Sequence, residues 1–109
     1  MSKLDDARII INECDKEMIT LFKKRMSAAK MVAEYKASNN LPILDLKREN
    51  ELIKRNTQIL NDQELEGYYI TFLEGMLKAS KDYQEELIKE QNKSVSYTHL
   101  RAHETLANL

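Results

Sequence analysis

Arg25 and Lys36 stand eleven residues apart in a stretch that contains neither Gly nor Pro. Eleven residues is close to three turns of α-helix, so both cations project from one face, about 16 Å apart along the axis. Ala29, Val32 and Ala33 lie between them on that side and are small or apolar. A half-buried cation is costly until an anion completes it, so the pair points to an anionic ligand. Two further groups have the spacing of a binding surface. Asp45, Arg48 and Glu49 open a second helical segment, and the connection Ser38 to Leu44 is short enough to fold its start back toward Lys36. Ser80 and Gln84 are i and i+4 on a third, hence neighbours on one face. Together these residues predict a pocket with several fixed donors and one or two carboxylates. No nucleophile, metal cluster or redox group accompanies them.

Arg8 is seventeen residues from Arg25, which is about 25 Å along a helix and about 100° around it. A small metabolite cannot touch both from one straight helix. Arg8 is therefore either a surface residue or a contribution to the pocket of a second chain.

The elements that must position these groups follow from periodicity. Leu4, Ile11, Cys14, Met18, Leu21, Phe22, Met26, Ala29, Val32, Ala33 and Tyr35 recur mostly at three or four residues, the signature of an amphipathic helix from Leu4 to Ser38. Acidic residues load its first half and basic residues its second, in the order that suits the helix dipole. Such a rod of about 50 Å is too long to be covered by a compact domain of this length, whose radius of gyration would be about 13 Å. Asn39, Asn40 and Pro42 stop it, because the residue before Pro is driven out of the helical region. Asp45 then caps a helix from Leu46 to about Leu60 with Leu52, Ile53, Ile59 and Leu60 on its apolar side. A third helix runs from Glu64 or Gly67 to about Gln91, with Ile70, Leu73, Met76, Leu77, Tyr83, Leu87 and Ile88 as its stripe. Gly75 inside it costs about 1 kcal/mol relative to Ala and predicts a close helix contact there. From Ser94 the periodicity lapses. The stretch 94–109 resembles a translated cloning-adaptor read-through and is expected to be a non-native or disordered tail beyond a helical domain at 1–93. Its His99 and His103 have the spacing of a metal pair, but no third ligand is in view.

Composition limits the remaining possibilities. In 109 residues there are two Gly and one Pro, with 42% hydrophobic and 32% charged residues and a formal net charge of −1. That balance fits one helical domain and argues against nucleic-acid binding by bulk positive charge. No apolar run reaches the length of a membrane span, and Met1 to Asp6 lacks the core of a signal peptide, so a cytoplasmic protein with no membrane partner is expected. Cys14 is the single cysteine; an intrachain disulfide is impossible and a packed thiol is expected.

The ordered set Arg8, Asp15 within Asn12-Glu13-Cys14-Asp15, Arg25 in Phe22-Lys23-Lys24-Arg25, Lys36, Pro42 to Glu49, and Ser80 to Gln84 resembles the all-helical, AroQ-type chorismate mutases, over residues 4 to 90. The resemblance implies an all-α fold of three helices per chain, with a very long first helix, assembled as an intertwined homodimer. It also implies an isomerase of phenylalanine and tyrosine biosynthesis that converts chorismate to prephenate without cofactor or metal. Arg25 and the partner's Arg8 would hold the two substrate carboxylates. Lys36 and Gln84 would donate to the ether oxygen, Glu49 would orient the ring hydroxyl with help from Lys36, and Asp45, Arg48 and Ser80 would complete the wall. One departure is the turn before the third helix, which needs a one-residue adjustment to bring Ser80 and Gln84 into place. An isochorismate-pyruvate lyase on the same scaffold, and a non-catalytic regulatory dimerisation module, are the alternative readings.

Overall fold

The chain folds as three helices, α1 Lys3–Ser38, α2 Leu46–Leu60 and α3 Glu66–His103, and α3 packs against both of the others. This description comes from a computed structural model that describes residues 2–103. α1 begins at a capping box in which Asp5 N donates to Ser2 Oγ at 3.1 Å and Ser2 N donates back to Asp5 Oδ2 at 3.3 Å. Two of the orphan donors of the first turn are thereby satisfied. The helix ends where Asn40 takes a left-handed conformation (φ 55), one that Asn tolerates better than most residues. Leu41 N then donates to Lys36 O at 2.8 Å, closing the turn before Pro42.

Asp45 caps α2 as predicted: its Oδ1 accepts from Arg48 N at 3.0 Å. α2 ends at Asn61, again left-handed (φ 48), and Asp62 Oδ1 accepts from Leu65 N at 3.1 Å to turn the chain into α3. α3 continues beyond the expected end near Gln91, through the backbone of 94–103 that the lapse in periodicity marks as a tail. Nothing between Met76 and His103 is a Gly or Pro, so there is no backbone stop signal. Residues 104–109 lie outside the described residues, as do the side chains of His99 and His103.

The core is small. Leu52 on α2 meets Leu73 and Leu77 on α3, with Ile53, Tyr69 and Met76 packed around them. On α1 only Ala29 and Ala33 are buried, at 5% and 1% exposure, where the lack of bulk allows a close helix approach. Most of the rest of the α1 stripe is uncovered: Leu4, Ile11, Met18, Leu21, Phe22, Val32 and Tyr35 are exposed, and Met26 is half-buried. Cys14 is exposed as well, contrary to the packed thiol expected, because no described residue of the chain covers that stripe in the first half of α1. Ile59 is likewise exposed, off the apolar side expected of it. Gly75 makes no close helix contact, since a Cβ there would meet nothing within 4 Å. It lies two residues from both Leu73 and Leu77, about 200° around the helix from each, on the face turned away from the core.

The radius of gyration is 19.8 Å and the extents are 68 × 34 × 18 Å, far from the compact value of about 13 Å. The accessible surface is 8934 Å², where a compact monomer of this mass exposes about 6,300 Å². No helix among the described residues is long and apolar enough to cross a membrane.

Candidate functional site

The half of α1 that does pack forms one wall of a cavity of about 340 Å³, closed by the start of α2 and the middle of α3. Arg25 and Lys36 line it with Ala28, Ala29 and Val32 between them, so the three-turn spacing does set both cations on one face. Both are half-buried. Lys36 Nζ donates to the carbonyl of Ile43 at 2.9 Å. That bond ties the 39–45 connection to α1 and leaves two of the three ammonium protons for a ligand.

Asp45, Arg48 and Glu49 enter from the first turn of α2. The capping geometry decides their directions. Asp45 spends a carboxylate oxygen on the Arg48 backbone, while Glu49, one turn on, turns its side chain into the cavity wall. From α3 come Ser80 and Gln84, which are 6% and 7% exposed. Gln84 Nε2 donates to Ser80 Oγ at 3.1 Å, and Gln84 Oε1 is buried without a partner among the described residues. An orphaned buried acceptor is expensive. Exchanging the two ends of the amide keeps the Ser80 contact, with the hydroxyl now donating, and puts an N–H donor where the orphan oxygen stands.

Seven of the eight candidate residues thus share one cavity: Arg25, Lys36, Asp45, Arg48, Glu49, Ser80 and Gln84. Arg8 does not. It is exposed on the uncovered half of α1 and is not among the lining residues. The structure adds Lys81, which lines the cavity and forms an ion pair with Glu49 at 3.0 Å. A signal for it is present in the sequence, since Lys81 is i and i+3 with Gln84 and therefore shares its face. The apolar floor is Leu52 and Leu77 from the core.

Four cations and two carboxylates around an apolar floor favour a compact anion carrying more than one negative charge. Among the described residues no group of three or more His, Cys, Asp or Glu side chains could hold a metal ion. Outside the cavity, Lys78 is held above the ordinary lysine range by its hydrogen bond to the Asp82 carboxylate at 2.8 Å. That pair is solvent-exposed and is a helix-face contact of the usual weak kind.

Comparison with known proteins bears on the same residues. The model of the family described as chorismate mutase type II matches residues 7–85. The chain is 38% identical over 63 residues to the bifunctional chorismate mutase/prephenate dehydratase of Buchnera aphidicola subsp. Schizaphis graminum, covering 58% of this chain and 16% of that protein. It is 31% identical over 109 residues to the protein of the same name from Buchnera aphidicola subsp. Baizongia pistaciae, covering 87% of this chain and 29% of that protein. The chain therefore spans less than a third of the length of these relatives. No solved structure matches it.

Proposed function

Because the chain belongs to the type II chorismate mutase family, we propose that it converts chorismate to prephenate in the cavity between α1, α2 and α3. The observation that carries the reading is the meeting of Arg25 and Lys36 with Glu49 and Gln84 from three separate helices around one cavity. The reaction is a unimolecular Claisen rearrangement, in which one C–O bond breaks as a C–C bond forms, so no group on the protein needs to exchange atoms with the substrate. What accelerates it is restraint of the extended side chain over the ring, together with stabilisation of the charge that grows on the ether oxygen.

Arg25 binds one carboxylate of the dianion. Lys36, already fixed by the Ile43 carbonyl, aims its remaining protons at the ether oxygen. The Gln84 amide, in the orientation that satisfies Ser80 through Oε1, supplies the second donor to that oxygen. Glu49 accepts from the ring hydroxyl, and Asp45 and Arg48 shape the wall at the start of α2. The working unit in this proposal is a homodimer in which the partner's Arg8 reaches the second carboxylate. Support for it comes from the exposure of Arg8, the uncovered α1 stripe and the excess surface.

The direct test incubates the purified chain with chorismate and, separately, with isochorismate, and identifies products by chromatography. Prephenate from chorismate is the expected result. Pyruvate from isochorismate with no prephenate would overturn the assignment in favour of a lyase, and no product from either would leave the cavity without this activity.

A further inference from the structure

Resting on the reading just given, we infer that Lys81 is a positioning residue: it holds Glu49 in place and supplies the counter-charge that lets a carboxylate stand in a pocket built for a dianion. Lys81 Nζ lies 3.0 Å from Glu49 Oε2 and 3.3 Å from Oε1. Its side chain is 30% exposed and that of Glu49 is 18% exposed. Among the described residues it is the one cation within ion-pair distance of Glu49, although Arg25, Lys36 and Arg48 line the same cavity.

The two carboxylates of the cavity differ in their commitments. Asp45 is occupied as the cap of α2, and it is exposed. Glu49 is half-buried and faces the space a ligand would fill, where an uncompensated negative charge would repel a doubly charged anion in the ground state and the transition state alike. Lys81 cancels that charge from the α3 side. It also restrains the carboxylate, because one ammonium lies within ion-pair distance of both oxygens, and so leaves acceptor capacity on the group for a hydroxyl donor. The pair bridges α2 and α3 in the cavity that Leu52 and Leu77 also line, so one contact joins two of its walls.

A repulsion felt equally in both states appears in KM and in ligand affinity, with little effect on kcat. Lys81→Met is therefore expected to raise KM about tenfold, and to weaken calorimetric binding of a bicyclic dicarboxylate about tenfold, with a smaller fall in kcat. Lys81→Arg restores both to within about threefold, since the charge and the reach are kept. In a Glu49→Gln background, Lys81→Met is expected to change affinity less than about twofold, because no charge remains to be neutralised.

A Lys81→Met variant whose melting temperature falls while KM and affinity stay at the wild-type values would make Lys81 a structural staple and overturn the inference. An equal loss of affinity from Lys81→Met in the wild-type and in the Glu49→Gln backgrounds would overturn it too, by showing that Lys81 meets the ligand itself. The two readings separate cleanly. If the wild-type chain makes no prephenate, the mutase assignment fails while the titration cycle still decides the role of Lys81. If the wild-type chain binds no dicarboxylate, the inference falls as well.

Discussion

Lys36 serves two acceptors at once, the Ile43 carbonyl in the folded chain and, in the proposed reaction, the ether oxygen of the substrate. Its half-buried place on the α1 wall means that its orientation is fixed before a ligand arrives. A preorganised donor of this kind is worth about 3 to 4 kcal/mol of barrier. Lys36→Ala is accordingly expected to lower kcat by about 10² to 10³, with helix content by circular dichroism retained. Catalysis near the wild-type level would remove Lys36 from the mechanism. A substitution at Gln84 addresses the opposite wall. Gln84→Leu fills the same volume without a donor and leaves the Ser80 hydroxyl unpaired, so kcat is expected to fall by about 10² in a steady-state assay with KM changed far less. At this scale most of the site is visible in the sequence, because Arg25 and Lys36, and again Ser80 and Gln84, are joined by helical periodicity alone. Lys81 stands out there only through the helix face it shares with Gln84, three residues on. Its importance lies in a contact with Glu49 on another helix, and no spacing rule links α2 to α3.

At the scale of the element, the start of α2 carries its share of the site through a helix end. The capping contact of Asp45 with Arg48 N orients the first turn of α2, from which Glu49 projects. Asp45→Ala is expected to cost about 1 kcal/mol of stability, read as a lowered denaturation midpoint at fixed protein concentration, and to raise KM because the turn bearing Glu49 loosens. The α2–α3 contact is more sensitive. Leu73 is 1% exposed at its centre, and Leu73→Ala should remove about 2 to 5 kcal/mol, a shift large enough to see in a urea titration. Asn39, Asn40, Pro42 and Asp45 make the α1–α2 junction legible, since each acts on its own backbone or its near neighbours. The far end of α3 is not legible for the converse reason: 92–103 holds no residue that forces a stop, and the lapse in apolar periodicity is a statement about burial, not about backbone conformation. Gly75 misleads in a related way. A glycine in a helix signals close approach only when its face is the packed one, and that face is set by Leu73 and Leu77.

At the scale of the molecule, the first half of α1 is a helix with an apolar stripe and, among the described residues, nothing of its own chain upon it. The sequence shows that this rod exceeds its domain, but it does not say which stripe residues find cover within the chain. Ala29 and Ala33 do; Leu4, Ile11, Met18, Leu21 and Phe22 do not. Under the proposed homodimer, chains bearing Arg8→Ala and chains bearing Arg25→Ala are each expected to be nearly inactive, whereas a mixture of the two should regain activity after subunit exchange. Mass spectrometry verifies the exchange and a prephenate assay reads the outcome. No recovery in a verified heterodimer would mean that Arg8 serves no partner site. The uncovered stripe has one more consequence, for gene dosage. If a complete site exists only where two chains meet, then below the dissociation constant the number of sites falls with the square of chain concentration. Output would then respond more steeply than expression itself, and a cell making too little of the chain would lose the activity disproportionately, with no effector or regulatory residue taking part.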